Sequence, residues 1–259
     1  MKKTALITGA SNGIGLELAK IHASKGDDLV LVARNKSKLD ELKTDLEKQF
    51  KVSVYTIGKD LSSTNAAQEV YDETNKQNIQ IEYLINNAGF GGFGKFDETD
   101  WNNELQMINL NITTLTLFTK LYLKDMVKRK SGKIMNVAST AAFQAGPTMA
   151  IYCATKAYVL SFTEAVNNEM NDKGITITAL CPGATETGFQ AAGGLNESKL
   201  FKGKKLPTAT EVAKYGYTSM MKGKPVAIHG LMNYIMANSI RFIPRAMVTK
   251  VSRSMLDKT

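Results

Sequence analysis

Short apolar runs recur along the chain and alternate with longer stretches of mixed polarity. The runs are rich in leucine and β-branched residues and show no clean alternation with polar positions, which is typical of strands buried on both faces of a parallel sheet. They predict strands at Thr4–Thr8, 29–33, 52–57, 83–85, 133–137 and 175–180, with a shorter one at 226–229. The stretches between them predict helices at 15–25, 37–50, 64–77, 101–130 and 152–171. This alternation predicts an α/β fold, a doubly wound parallel sheet, with residues 1–259 in a single domain.

Two regions depart from this rhythm. Residues 184–205 form a long irregular stretch rich in Gly, Ala and Lys, and a loop of this length inside a compact domain predicts a substrate lid. The variable tail at 230–259 ends in a predicted helix after Pro244, with one apolar face formed by Met247, Val248, Val251 and Met255. That face is interpreted either as packing against its own domain, which we favour, or as contacting a membrane surface or a partner subunit.

The composition narrows the function classes. Hydrophobic residues make up 43% of the chain, enough for a large core, and the net charge is +9. Because the lysines are scattered and no nucleic-acid motif occurs, the charge indicates a solvated surface that attracts phosphorylated cofactors, rather than a nucleic-acid partner. Cys153 and Cys181 do not cluster with His22 or His229, so neither a disulfide framework nor a metal site is expected.

The sequence also bears on location. No stretch of about 18 apolar residues occurs, so no membrane span is predicted. The N-terminal apolar run stops at Thr8, which is too short for the core of a signal sequence. A cytoplasmic location is therefore expected.

A glycine-rich segment joins the first predicted strand to the first helix. It reads Thr8-Gly9-Ala10-Ser11-Asn12-Gly13-Ile14-Gly15. Glycines allow a tight turn and a close backbone approach to a pyrophosphate, while the helix N-terminus offers free N–H groups to the anion. The spacing departs from the commoner Gly-x-Gly-x-x-Gly, and a glycine turn without a ligand is the alternative. Its place between strand and helix favours nucleotide binding.

The end of the second predicted strand bears on which nucleotide is bound. An NAD site usually places an acid there, to accept a hydrogen bond from the ribose 2′-hydroxyl. This chain has Ala33, Arg34 and Asn35 instead, and the guanidinium of Arg34 suits a phosphate. The sequence favours NADP(H), with Asn35 and Lys38 as further contacts, over a solvated arginine at a strand end.

A second set of residues suggests proton transfer. Tyr152 and Lys156 are four residues apart on one predicted helix and therefore share a face. A nearby ammonium favours the phenolate and should lower the tyrosine pKa. Ser139 follows the strand at 133–137 and should reach the same edge of the sheet. The Tyr-x-x-x-Lys pair alone is also compatible with an ordinary helix carrying a half-buried tyrosine.

Taken in order, these motifs resemble those of the short-chain dehydrogenase/reductase family. The resemblance extends from residue 4 to about residue 187 and includes the 13-residue separation of Ser139 and Tyr152. The motifs that carry it are the glycine turn, Asp60-Leu61, Asn86-Asn87-Ala88-Gly89, Asn109 in Ile108-Asn109-Leu110, Ser139, Tyr152-Cys153-Ala154-Thr155-Lys156, and Pro182-Gly183 followed by Thr187. The resemblance implies a Rossmann-like fold, a small-molecule carbonyl or alcohol substrate, and a homo-oligomer.

The resemblance also implies roles for individual residues. Tyr152 would be the general acid, Ser139 would orient the carbonyl oxygen, Lys156 would hold the ribose and lower the tyrosine pKa, and Asn109 would support a proton relay. The residues implied to bind NADP(H) are Gly9, Ser11, Asn12, Gly13, Ile14, Gly15, Arg34, Asp60, Leu61, Asn87, Ala88, Gly89, Tyr152, Lys156, Pro182, Gly183 and Thr187. Asn12 departs from the pattern, since some NADP-binding relatives carry a basic residue there, which leaves phosphate recognition mainly to Arg34.

The leading hypothesis from the sequence is an NADP(H)-dependent oxidoreductase that transfers a hydride between nicotinamide and a ketone, aldehyde or 3-oxoacyl compound, or the corresponding alcohol. One alternative is an isomerase or dehydratase that retains its cofactor, and net cofactor turnover separates the two. Another alternative is a non-catalytic NADP(H) sensor, which would not need the set of Asn109, Ser139, Tyr152 and Lys156.

Overall fold

The computed structural model describes residues 2–188 and 206–256. Within them the chain forms one sheet of seven parallel strands in the order β3-β2-β1-β4-β5-β6-β7. In chain order, β1–β7 are Thr4–Thr8, Asp28–Ala33, Val54–Gly58, Tyr83–Asn86, Gly132–Val137, Ile175–Cys181 and Val226–Ile228. The doubly wound parallel sheet expected from the apolar runs is therefore confirmed, and β3 begins two residues later than predicted.

Helices lie on both faces of this sheet. The α-helices of the described residues, α1–α9, are Gly13–Ser24, Lys36–Phe50, Ala66–Lys76, Trp101–Ile108, Leu115–Arg129, Ala150–Glu169, Ala209–Met221, Leu231–Ser239 and Arg245–Leu256. Short 3-10 turns occupy Thr140–Phe143 and Ile240–Phe242. The two helices α7 and α8 were not predicted from the sequence.

The central strands are buried on both faces, because successive side chains point to opposite sides of the sheet. In β1, Ile7 packs into the core layer beneath α1 and α2, whereas its neighbour Leu6 packs into the opposite layer with Phe118 of α5. Both core layers are apolar. This two-sided burial explains why the strand sequences show no polar alternation.

One long helix predicted at 101–130 is interrupted. Helix α4 ends at Ile108, the chain continues as a π-helical turn over Asn109–Thr114, and α5 starts at Leu115. A π-helical turn inserts one extra residue per turn and rotates the side chains that follow it, and such turns are frequent at functional sites. Here the turn contains two asparagines, Asn109 and Asn111.

The parallel topology also brings distant motifs together. Strands β1, β4, β5 and β6 are neighbours, so the segments that follow them meet at one edge of the sheet. In open α/β sheets, ligands bind in the crevice at the carboxyl ends of the strands, beside the position where the strand order reverses. In this sheet the order reverses between β1 and β4.

Candidate active site

The glycine turn after β1 fits a phosphate group. Gly9 and Gly13 have positive φ angles of 67° and 53°, which residues with a Cβ rarely adopt. A Cβ added at Gly15 would lie 2.3 Å from the carbonyl oxygen of Gly9, so only glycine allows α1 to start this close to the turn. These are the positions that a backbone cradle for a pyrophosphate requires, and the residues present therefore fit a dinucleotide cofactor.

The N-terminus of α1 completes this cradle. Asn12 occupies the N-cap position in extended backbone, and its side chain caps none of the described N–H groups. The free N–H groups of the first turn can therefore donate to an anion. Thr187, from the segment after β6, approaches the same turn, because a Cβ at Gly13 would lie 3.2 Å from the Thr187 Cβ and Cγ2.

A second set of hydrogen bonds holds the turn against β4. The Asn87 Nδ2 donates to the carbonyl oxygens of Thr8 and Gly9, at 2.9 and 3.2 Å. In return, the backbone N–H groups of Asn87 and Ala88 donate to the Thr8 hydroxyl, at 3.0 and 2.9 Å. The Asn87 side chain is therefore committed to shaping the glycine turn.

At the other end of the nucleotide crevice, Arg34 is exposed directly after β2. Arg34 forms no ion pair within the described residues. The neighbouring Asn35 is the N-cap of α2, and its Oδ1 accepts a hydrogen bond from the Lys38 backbone N–H at 3.0 Å. Asp60 accepts from the N–H and hydroxyl of Ser62, and these bonds, helped by the charge of Arg34, lower the pKa of its carboxyl. Arg34 is therefore an exposed cation at the end of β2 that could hold an anionic group.

The predicted proton-transfer residues are brought together at the ends of β5 and β6. Ser139 is hydrogen-bonded to the Tyr152 side chain, and the Lys156 Nζ lies 5.9 Å from the centre of the tyrosine ring. Tyr152 and Lys156 are 8% and 4% exposed. The Lys156 Nζ donates to the Val137 carbonyl oxygen at 2.7 Å, which orients one of its three N–H bonds and leaves the others for a ligand.

Burial controls the protonation of this pair. It raises the pKa of Tyr152 to about 12, against the opposite effect of the Ser139 hydrogen bond. It lowers the pKa of Lys156 to about 8, because an ammonium loses its hydration in the interior. In the protein by itself, burial therefore raises the pKa of Tyr152, and Lys156 is not among the groups that shift it. At neutral pH the phenol is protonated and can act as an acid.

The structure corrects the choice of asparagine. Asn109 opens the π-helical turn, is half-buried, and its side chain bonds to none of the described groups. Asn111 is 1% exposed, and its amide donates to the Phe90 carbonyl oxygen at 3.0 Å and accepts from the Phe90 N–H at 3.3 Å. A Cβ at Gly89 would lie 2.9 Å from the Asn111 Oδ1 and 3.5 Å from the Lys156 Nζ, so Asn111 faces the lysine.

The spacing of the buried residues along this helix could have identified Asn111 from the sequence. The buried positions of this region are spaced three and four residues apart, and Asn111 belongs to that series whereas Asn109 does not. The series is Met107, Asn111, Thr114, Leu115, Phe118 and Tyr122. An asparagine in phase with a buried apolar series indicates a polar group needed in the interior.

An apolar wall borders Tyr152. Met107, Met149, Cys153 and Leu256 are buried in one cluster with the tyrosine, and the partly buried side chains packed against it are Phe90, Phe93, Ala141 and Ile151. Leu256 is at the end of α9, so the C-terminal tail contributes to this wall. A substrate that reaches the Tyr152 hydroxyl therefore passes largely apolar surface.

The remaining predicted positions lie around the same crevice. The Pro182 carbonyl oxygen accepts from the Thr140 N–H at 2.9 Å, and Gly183 packs against Asn233 of α8. The other predicted contacts that the structure describes at this edge are Ser11, Ile14 and Leu61. Of the predicted lid at 184–205, residues 189–205 lie outside the described residues.

Comparison with known proteins gives consistent matches. The family model described as short chain dehydrogenase matches residues 3–197. The very-long-chain 3-oxoacyl-CoA reductase of Homo sapiens is 33% identical over 184 residues, which cover 69% of this chain and 58% of that protein. The NADP-dependent 3-hydroxy acid dehydrogenase of Schizosaccharomyces pombe is 34% identical over 192 residues, covering 72% of this chain and 73% of that protein. The chain thus spans less than two thirds of the length of the reductase.

Solved structures extend the likeness to almost the whole chain. A short-chain dehydrogenase from Sphingobium yanoikuyae in complex with NADPH has a TM-score of 0.83 and 31% identity, covering 93% of this chain and 94% of that chain. A bulky-bulky ketone specific alcohol dehydrogenase from Comamonas testosteroni has a TM-score of 0.79 and 30% identity, covering 93% of this chain and 92% of that chain.

Proposed function

Since the chain belongs to the short-chain dehydrogenase family, we propose that it is an NADP(H)-dependent oxidoreductase that transfers a hydride between nicotinamide and a carbonyl or alcohol carbon. The observation that carries the proposal is the buried group of Ser139, Tyr152 and Lys156 beside a glycine turn suited to a pyrophosphate. A bound nicotinamide would supply the hydride, and the chain's own residues would supply the proton and the orientation.

The chemistry assigned to these residues is a two-electron reduction. While the carbonyl carbon receives the hydride, its oxygen takes the phenolic proton of Tyr152 and becomes an alcohol. Ser139 donates a hydrogen bond to the same oxygen and aligns it. At neutral pH the phenol of Tyr152 carries the proton that this direction requires. In the reverse direction, the tyrosine must first lose its proton.

Lys156 and Asn111 are proposed to supply and position that proton. The free N–H bonds of Lys156 are available for the hydroxyls of the nicotinamide ribose, and its lowered pKa makes it able to exchange a proton near neutral pH. Asn111 faces the lysine across Gly89 and is proposed to hold a water that reconnects it to solvent. This role was expected of Asn109, and we transfer it to Asn111 because of its burial and orientation.

The substrate is proposed to be an apolar carbonyl compound, with 3-oxoacyl derivatives as the leading class. The apolar wall around Tyr152 supports an aliphatic or aromatic substrate body. The two curated relatives described above, a 3-oxoacyl-CoA reductase and a 3-hydroxy acid dehydrogenase, both act at the third carbon of an acyl chain by their names. A carbonyl at that position leaves the chain beyond it free to lie along the wall.

A screen of NADPH oxidation tests the proposal. The purified protein is assayed with 3-oxoacyl thioesters and with aliphatic, aromatic and steroid-like ketones, and the Tyr152→Phe variant serves as the inactive control. Fastest turnover with the 3-oxoacyl compounds would support the substrate class. Cofactor binding without oxidation of NADPH by any carbonyl would favour the sensor, and substrate conversion without net cofactor turnover would favour the isomerase or dehydratase.

Two further expectations are part of the proposal. We propose a cytoplasmic location, supported by two free, buried thiols, Cys153 and Cys181. We also propose a homo-oligomer, which sedimentation of the purified protein would test. No helix within residues 2–188 and 206–256 is long and apolar enough to cross a bilayer.

A further inference from the structure

The C-terminal region carries an unusually apolar exterior. We define the C-terminal apolar surface as the exposed large hydrophobic side chains of α8, α9 and the turn between them. They are Leu231, Met232, Tyr234, Ile235, Met236, Phe242, Ile243, Met247, Val251 and Met255. Large exposed apolar patches on soluble proteins mark contacts with another molecule.

In α9 the exposed and buried faces differ from the prediction. Ser252 and Leu256 are buried against the domain, whereas Met247, Val251 and Met255 are 59%, 53% and 42% exposed. The apolar face predicted from the sequence therefore points mostly outward. Its row of side chains, spaced four residues apart, runs alongside the packed face for the length of the helix.

Helix α8 is even less covered. Ala237 is its one buried residue, whereas Leu231 and Met232 are 77% and 67% exposed. Phe242, in the turn that leads to α9, is 88% exposed. The described part of the chain thus leaves both helices with an apolar face in contact with solvent, at a considerable free-energy cost unless something covers it.

The charge of this region is one-sided. Between residues 230 and 256 the sequence has four basic residues, Arg241, Arg245, Lys250 and Arg253, and no acidic residue. Arg241, Arg245 and Lys250 are exposed and form no ion pair with any group in residues 2–188 and 206–256. Exposed apolar side chains beside unpaired basic ones are the combination by which interfacial helices bind anionic lipid.

We propose that the C-terminal apolar surface binds the face of an anionic lipid bilayer, with its apolar side chains among the acyl chains and its arginines and lysine at the headgroups. A second copy of the chain fits less well, because a two-fold contact through this surface would bring two sets of unpaired positive charges together. A nucleic acid would match the charge and leave the apolar side chains uncovered.

The C-terminal apolar surface lies close to the crevice that contains Tyr152. Gly183, in the segment after β6, packs directly against Asn233 of α8, and Leu256 of α9 belongs to the apolar wall around Tyr152. A bilayer against these helices would lie beside the crevice into which the substrate must pass. The lipid contact does not depend on the proposed reaction, whereas a benefit for apolar substrates would rest on the proposed function.

Vesicle sedimentation tests the lipid contact without any activity measurement. The full chain is mixed with vesicles of phosphatidylcholine alone, or of equal parts phosphatidylcholine and phosphatidylglycerol, and the bound fraction is measured. The charge variant is Arg241→Gln with Arg245→Gln, and its matched control is Lys120→Gln with Lys124→Gln on the exposed face of α5. The apolar variants are Met247→Ser with Val251→Ser and, on α8, Leu231→Ser with Met232→Ser.

The proposal expects binding to the anionic vesicles only. Each lost positive charge should weaken partition about fivefold, so the double arginine variant should bind about twenty-five times more weakly, with the lysine control within about twofold of the unmodified chain. Both apolar variants should also lose binding while keeping the unmodified circular dichroism spectrum, since their side chains are exposed. Failure to bind anionic vesicles, equal losses in the lysine control, or unchanged binding of both apolar variants would each overturn it. A self-association result would overturn it as well: the unmodified chain sediments as a dimer, Met247→Ser with Val251→Ser dissociates that dimer, and neither protein binds vesicles.

Discussion

The side-chain amide of Asn111 donates a hydrogen bond to the hydroxyl of Thr155, with 3.1 Å between nitrogen and oxygen. Thr155 precedes Lys156 in sequence, and its own hydroxyl donates to the Tyr152 carbonyl oxygen at 2.8 Å. The π-helical turn is therefore bonded to the turn of α6 that carries both the tyrosine and the lysine. Any displacement of Asn111 would reach these two groups directly.

This relationship predicts different effects at two nearby asparagines. Asn111→Ala should lower kcat by at least about tenfold, because the lysine loses its polar neighbour and the helix turn loses an anchor. It should also lower the free energy of unfolding by about 1–3 kcal/mol, since the Phe90 backbone groups lose their buried partner. Asn109→Ala, the matched control, should change neither quantity appreciably. Steady-state kinetics and urea denaturation of both variants measure the contrast, and equal effects at the two positions would contradict it.

Two tyrosines on α6 offer a second contrast. Tyr152→Phe removes the proposed acid and keeps the ring, so turnover should fall by about two to four powers of ten while NADPH affinity hardly changes. Tyr158→Phe removes a hydroxyl that contacts Thr116 on the exposed side of the helix and should leave kcat unchanged. Fluorescence titration with NADPH and carbonyl reduction rates distinguish them. Substantial turnover by a cofactor-binding Tyr152→Phe protein would show that another group supplies the proton.

Cofactor choice gives a third prediction. Arg34 is exposed, and no carboxylate of the described residues lies within ion-pair distance of it. NADPH should therefore bind about tenfold more tightly than NADH or better, which corresponds to about 1.4 kcal/mol. Arg34→Leu should remove this preference by weakening NADPH alone, and the NADH affinity of the same variant serves as its control. Adding Ala33→Asp should reverse the order, because the new carboxylate repels the 2′-phosphate and accepts from a ribose hydroxyl. Equal affinities of the unmodified protein for both cofactors would refute the role of Arg34.

Most of the architecture was predictable because its signals are local. Parallel strands buried on both faces require continuous apolar runs, and the glycine turn requires residues without a Cβ at Gly9, Gly13 and Gly15. Ser139, Tyr152 and Lys156 meet because the topology brings the end of β5 to α6, which the strand order alone anticipates.

The errors came from features that depend on the three-dimensional surroundings. The choice between Asn109 and Asn111 depends on which side chain the fold buries; the spacing of buried residues favours Asn111, whereas the motif resemblance pointed to Asn109. The pKa of Tyr152 depends on how completely the fold excludes water, and sequence spacing shows only the nearby ammonium. In α9, the packed face includes Ser252, a polar residue that periodicity assigns to the outside, and so the predicted apolar face was displaced by about one residue.

The buried lysine finally predicts how stability depends on pH. The pKa of Lys156 is about 8 in the folded protein and has a reference value of 10.5. Between these values the unfolded chain binds a proton that the folded chain does not, so stability rises with pH. Below the folded pKa, the full cost of burying an ammonium is present. The rise contributed by this residue should reach about 2–3 kcal/mol between about pH 7 and pH 10.

The Lys156→Met variant isolates that contribution from all other titrating groups. Methionine has a similar length and does not titrate, so the variant should lack this part of the rise. The free energy of unfolding of both proteins is measured by urea denaturation without cofactor at several pH values. As pH increases, the unmodified protein should gain stability relative to the variant.

Above about pH 10 a second effect should appear in both proteins. The raised pKa of Tyr152 makes the folded state retain a proton that the unfolded state loses, and stability falls. A difference that stays constant from neutral pH to about pH 10 would mean that Lys156 keeps its ordinary pKa in the fold. In that case its ammonium would be hydrated or paired, and it could not exchange protons near neutrality as the proposed relay requires.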